Sequence, residues 1–168
     1  MEMVEVVDKN LKILYIIPKQ EAHEKGLLHK CVIGGIVNSQ GDRGLIIPLY
    51  NRQDAGQYVS PVGGHVTAGE TDEQALKREA MEEMGLKDFK YKFIGKGIFN
   101  RHVLGRHENH YFIVYEIYTD KTPVPGNEAE SYKWFTEKEL KKELKENPKR
   151  FGDAYMFVLS NFCKELLP

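Results

Sequence analysis

At 168 residues the chain has the length of one domain and can bury a substantial core. Its 24 basic and 25 acidic residues leave a net charge of −1, so no overall field recommends a nucleic acid or a membrane surface as partner. Two cysteines, Cys31 and Cys163, have neither the spacing of a zinc site nor the density of a disulfide scaffold, and both are expected to be buried thiols in a reducing compartment.

No basic segment followed by an apolar run opens the chain, and no stretch of roughly 18 uncharged apolar residues occurs, so a soluble, cytoplasmic protein is expected. Val4 to Val7 and Leu11 to Ile17 are β-rich runs separated by Asp8-Lys9-Asn10, a hairpin composition spanning residues 3–18. Lys19 to Gly26 is a polar connection with room for a helical turn. Cys31 to Val37 is nearly continuously apolar, the pattern of a central strand covered on both faces. Leu45 to Tyr50 reads as a further strand, with Pro48 pointing to an edge or a bulge. Gln53 to Gly64 reads as a loop with a short strand at Tyr58 and Val59.

From Gly64 a glycine loop runs into a helix: Thr71 can cap it, Gln74 completes the capping box, and Gly85 supplies the stop. Phe89 to Phe99 and Tyr111 to Tyr118 are predicted strands joined by the polar segment Asn100 to His110. Thr122 to Asn127, with two prolines and a glycine, is a loop. Ser131 to Phe135 gives a short strand. Thr136 and Glu139 form a second capping box ahead of a helix over Glu137 to Glu146, which Pro148 ends. An amphipathic helix is predicted over about Asp153 to Leu166, with Tyr155, Val158, Leu159 and Phe162 inward. Residues 1–168 are thus expected to form a single domain.

Chemistry concentrates between Gly64 and Leu86. Glu79, Glu82 and Glu83 fall within an arc of roughly 100° on that helix, beside the apolar stripe Leu76, Ala80 and Met84. The bland reading is a solvated acidic face. Like charges at this spacing repel, however, and a hard divalent cation would remove the penalty.

The stretch matches the signature of the Nudix hydrolase superfamily: Gly64, Glu70, Arg78-Glu79-Ala80, Glu82-Glu83 and Gly85-Leu86 stand at its fixed spacing, and Ala80 alone is a weak choice. The flanks, Glu21 to Lys30 and Gly63-Gly64-His65-Val66, are similar to the branch containing isopentenyl-diphosphate isomerase. The resemblance implies an α/β fold with a mixed β-sheet sandwiched between α-helices. It implies a Mg²⁺- or Mn²⁺-dependent hydrolase of a nucleoside diphosphate linked to another moiety, with an isomerase or a silent binding domain as alternatives. A small-molecule diphosphate is then the expected partner, and a homodimer is expected only from base rates for soluble enzymes.

Carried over residue by residue, the resemblance gives Glu79, Glu82 and Glu83 catalytic and metal-holding roles, with the Gly64 carbonyl as a further ligand. Arg78 and Glu70 pair to fix the loop on the helix. A downstream carboxylate often joins the metal cluster, and Glu108 is the candidate ahead of Glu128 and Glu130. Arg52, Tyr58 and His65 are candidate substrate contacts. His29 and His65 match positions that bind a second metal in the isomerase branch, His23 lies one residue out of register with a third, and Arg106 stands where that branch has a second glutamate. Gly63 occupies the place of the isomerase's catalytic cysteine.

Overall fold

The computed structural model describes all 168 residues. Its organising strand is β3, His29–Val37. One edge pairs in parallel with β7, Arg106–Tyr118, from His29↔His110 to Val37↔Tyr118. The other edge is shared by three antiparallel strands: β1, Met3–Val7, at its start; β5, Val62–His65, in its middle; and β4, Arg43–Pro48, at its end. The apolar run of Cys31 to Val37 predicts this central place, since a strand paired on both edges and covered on both faces has no solvent-facing side to keep polar.

Three further strands complete a mixed eight-stranded sheet: β2, Ile13–Pro18, outside β1; β6, Lys90–Val103, outside β7; and β8, Ala129–Phe135, outside β4. Pro48 sits at the register shift between β4 and β8, the irregularity its missing N–H requires. β6 and β7 run well into the segment expected as the polar connection Asn100 to His110. They are joined by Leu104-Gly105 alone, both at positive φ, +49° and +73°. The extension lacks the apolar alternation that marks strands, so only the two-residue turn signals it.

Helices cover both faces, as expected. On one face lies α2, Asp72–Met84, whose Thr71–Gln74 capping box is formed and whose stop is Gly85 at φ +63°. Its Ala75, Leu76, Ala80 and Met84 pack with Val32, Ile36, Val62, Ile113 and Ile117. Burial of Leu76 and Met84 contributes about 1.5–3 kcal/mol each. On the other face lie α1, Lys19–Lys25, and α4, Asp153–Phe162, the latter over Cys31, Phe112 and Val114 through Val158. α1 is a complete short helix ending on Gly26 in the left-handed conformation, where the sequence suggested one turn. α3, Glu137–Glu146, carries the second capping box and packs beyond β8. α4 stops at Phe162, short of the expected Leu166, and the chain continues as a 3-10 turn over Lys164–Leu166.

Candidate functional site

β5 divides two sites. Its Val62 and Gly64 turn toward α2, and Gly63 and His65 turn to the opposite face, where His65 is paired in register with Cys31. A Cβ on Gly64 would overlap the Glu79 carboxylate, so any side chain at this position has to push that carboxylate aside. Arg78 fastens the arrangement. Its Nε and Nη2 donate to Glu70 at 2.8 and 2.9 Å, Nη1 to Glu79 at 2.7 Å, and Nη2 also to the His65 carbonyl at 3.0 Å. This planar fork ties the loop to the helix and holds the Glu70 carboxyl below its ordinary range. The sequence-derived support pair, Glu70 and Arg78, is therefore in contact.

Glu79, Glu82 and Glu83 line one cavity of about 250 Å³ with Ile46, Met84 and residues 126–129. Glu83 is the deepest. Burial first, and then the neighbouring Glu79 carboxylate, push its carboxyl up to about 9, while the Gly63 N–H donates to it at 3.3 Å. Burial also raises Glu79, against the pull of Glu83's hydrogen bond and of Arg78. Without a cation, burial and mutual repulsion thus favour the neutral carboxyl over the charged one at this pair. Crowded, desolvated carboxylates are the oxygen-rich setting that hard divalent ions take.

The strap entering β8 closes this cavity. Val124 N–H donates to the Met84 carbonyl at 3.0 Å and Gly126 N–H to the Glu83 carbonyl at 2.8 Å, satisfying the end of α2. The strap carries Glu128 to the cavity wall, where Arg52 Nη2 donates to it at 2.9 Å. Glu108, the sequence's first candidate for this place, is elsewhere. Strand alternation turns Glu108, His110 and Phe112 away from α2, while Tyr111, Ile113 and Tyr115 enter the α2 core. Glu108 is 3% exposed and is held by Arg101 at 3.1 Å and Arg106 at 2.6 Å. Glu130 is exposed on β8. Tyr58 also departs from expectation. It is buried against Phe135 and Phe151, with its hydroxyl accepting from Arg150 at 3.2 Å, so the core takes the ring suggested for substrate contact.

On the opposite face, His23 of α1, His29 of β3, His65 of β5 and His110 of β7 bring one ring nitrogen each within 4.8 Å of one another, a group that could hold a metal ion. Nε2 of His23 lies 3.2 Å from Nε2 of both His110 and His65. His29 Nδ1 donates to the Leu27 carbonyl at 2.8 Å, which leaves its buried Nε2 as a lone pair with no partner. Burial and the neighbouring rings hold His23 down to about 4 and His110 to about 2, and burial lowers His29 and His65 too, so the four are neutral at physiological pH. Tetrahedral zinc–nitrogen bonds space their ligand atoms about 3.4 Å apart, near the 3.2 Å of the two His23 pairs. The sequence pointed to His29, His65 and, out of register, His23. His110 was missed because its nearest signal, the two-residue step from Glu108 along β7, fell in a segment read as a loop.

A model described as the NUDIX domain matches residues 28–155, and the chain belongs to that family. Isopentenyl-diphosphate Delta-isomerase 1 of Aromatoleum aromaticum is 29% identical over 164 residues, covering 94% of this chain and 88% of its own. An uncharacterized Nudix hydrolase of Streptomyces coelicolor is 32% identical over 104 residues, 55% of each chain. The crystal structure of DR0079 from Deinococcus radiodurans superposes with a TM-score of 0.74 at 22% identity over 95% of this chain and 98% of that one, a likeness of fold. No helix is long and apolar enough to cross a membrane. Fold and candidate metal sites together support catalysis of the Nudix kind.

Proposed function

We propose that the chain is a metal-dependent hydrolase that cleaves the diphosphate linkage of a nucleoside diphosphate joined to a second moiety. The observation that carries this reading is the convergence of Glu79, Glu82 and Glu83 on one cavity beside Gly64. Glu79, Glu82, Glu83 and the Gly64 carbonyl would hold Mg²⁺ or Mn²⁺, which when bound neutralises charge on a diphosphate and lowers the pKa of an attacking water. Glu83, deepest in the cavity, serves as metal ligand. Glu79 orients the water or takes its proton, held in place by Arg78, while Arg78 and Glu70 keep the Gly64 loop against the helix. A cytoplasmic setting suits the two free, buried thiols. The test is a panel of nucleoside diphosphate derivatives with Mg²⁺ and Mn²⁺, scored by released nucleotide and phosphate. Failure across the panel by protein that demonstrably binds Mn²⁺ sinks the reading.

A second reading, isomerisation of isopentenyl diphosphate, is favoured by the histidine cluster and by the isomerase relatives that span most of the chain. Isomerisation needs a proton donor and an acceptor placed across an apolar substrate. Gly63, two residues before His65, has no group to supply, and the Cys31 thiol beside His65 is buried with its pKa driven well up by desolvation. The four neutral imidazoles suit a borderline ion such as Zn²⁺ better than Mg²⁺. Incubation with isopentenyl diphosphate and either metal is expected to give no dimethylallyl diphosphate. Its appearance at enzymatic rates would replace the first reading by the second.

A further inference from the structure

β2 pairs with β1 on one side and with no strand on the other, and its Ile13, Leu14, Tyr15 and Ile16 follow one another at 48% to 53% exposure. Successive residues of a strand point to opposite faces, so apolar side chains stand open to water on both sides of the ribbon. A flat apolar edge pairs with any strand it meets, and monomers usually interrupt such edges with charges or proline. The other outer strands follow that practice: β6 carries Lys90, Lys92 and Lys96, and β8 carries Glu130 and Lys133. In β2 the run from Ile13 to Ile17 holds neither a charge nor a proline.

The free edge also has backbone groups to offer. Lys19 N–H donates to the Glu2 carbonyl at 2.9 Å, and in the same register Val4 faces Ile17 and Val6 faces Tyr15. Tyr15 and Ile17 therefore turn their N–H and C=O toward β1, and Ile16 between them turns its own outward. Leu14 is passed over by the register shift at Val6/Val7 and has no partner on β1. Outward from Tyr15 the run is nearly the same in both directions, with Ile13 matching Ile17 and Leu14 matching Ile16. A two-fold axis through Tyr15 would lay one β2 antiparallel on another with every facing pair apolar. Tyr15 would meet Tyr15 at the close, non-hydrogen-bonded position, and Ile16 would exchange backbone bonds with Leu14 of the second copy.

We propose that β2 is the surface on which a second copy of this chain docks, through an antiparallel β2–β2 pair with its two-fold axis at Tyr15. The occupant is a second copy because the run is complementary to its own reverse, which is what a two-fold contact requires. Antiparallel pairing also sets Lys9 and Lys12 of the two copies at opposite ends of the ribbon, where a parallel pair would set like charges side by side. The four half-exposed side chains offer on the order of 400 Å² per copy, the size at which a surface patch marks a binding site. Two copies, with the flanks of their strands, reach the ~1,000 Å² total at the low end of specific interfaces, so the dimer is reversible and depends on concentration. No residue of either candidate site lies on β2, and the proposal stands apart from the hydrolase reading.

The experiment uses the full chain from low to high micromolar concentration, with no ligand added. Sedimentation equilibrium should show the mass rising from 19.4 kDa toward twice that value. Amide exchange followed residue by residue by NMR should slow about tenfold or more at Ile16 over the same range, while Tyr15 and Ile17, already bonded to β1, change little. Tyr15→Lys sets like charges opposite each other on the axis and should hold the chain as a monomer, as should Tyr15→Glu. Mixing the two variants should restore a dimer, because the axis then pairs opposite charges. A wild type that stays monomeric at every concentration overturns the proposal and leaves the edge to a strand of a different protein. A dimer that survives Tyr15→Lys, or that forms without slowing exchange at Ile16, places the contact elsewhere and overturns it too, as do folded variants that stay apart on mixing. If the variants fail to fold, the wild-type exchange at Ile16 still decides.

Discussion

Replacing Glu83 by glutamine separates what this carboxyl does for the metal from what it costs the fold. In the metal-free protein burial, and then the Glu79 carboxylate beside it, push this carboxyl from its ordinary 4.5 up to about 9. A raised carboxyl contributes its full stability below its unfolded pKa and loses it as pH rises toward the folded one. Between pH 4.5 and 7.5 the loss has a ceiling of about 4 kcal/mol at 1.36 kcal/mol per unit. Because Glu79 and Glu83 titrate as a coupled pair, the share expected for Glu83 itself lies below that ceiling, at ~2 kcal/mol. Glutamine keeps the shape, cannot ionise and still offers an N–H to Glu79. In EDTA, Glu83→Gln should therefore be about 2 kcal/mol more stable than wild type at pH 7.5 and close to equal at pH 4.5, read from urea midpoints with unchanged slopes. With saturating Mg²⁺ the order should reverse in function: turnover falls by most of its value and the metal no longer stabilises. A variant less stable than wild type at pH 7.5 in EDTA would refute the raised, crowded state of the Glu83 carboxyl, and wild-type turnover would remove Glu83 from the ligand set.

Gly64→Ala should cut turnover at least a hundredfold while the circular dichroism spectrum stays native, because its methyl would displace the Glu79 carboxylate; ordinary activity would mean the loop relaxes freely. Zn²⁺ added to EDTA-stripped protein should raise the melting temperature, with about 2.7 kcal/mol gained at 100 times its dissociation constant. His29→Ala should abolish that shift and leave the Mg²⁺ shift in place, so a Zn²⁺ shift surviving the substitution would place the ion elsewhere. Leu76→Ala, at a position with no exposure, should cost about 2–5 kcal/mol in urea unfolding. A cost under 1 kcal/mol would contradict the packing of α2 on the sheet.

What could be read from the sequence was what local physics decides. Thr71 and Thr136 cap helices because three-residue spacing to Gln74 and Glu139 closes a box within one turn. Cys31 to Val37 had to be central because nothing in it tolerates water. Pairing across distance was less legible. Glu108 stood before an apolar strand and so resembled a rim residue, but which face it takes depends on the β7 register against β3, set by partners some 80 residues away. Tyr58 lay in a polar loop, and its burial depends on Phe135 and Phe151, which the loop's own composition does not announce. The histidines lie on four elements, and only the sheet brings them together. Glu128 was named as an alternative, but the two backbone bonds that bring the strap to α2 come from a segment whose prolines and glycine read simply as a loop.

The split edge of β3 bears on how the molecule acquires activity. β5 contributes Gly64 to one site and His65 to the other, yet it can settle only into the gap that β1 and β4 leave on β3. β7 must meanwhile arrive on the far edge as a parallel partner, and closing such long loops places this topology among slowly folding chains. Neither constellation exists in any fragment lacking the strand pairs around β3. In refolding, metal capture and native tertiary signal should accordingly rise together, in one late phase, with helix formation at α2 and α3 running ahead of both.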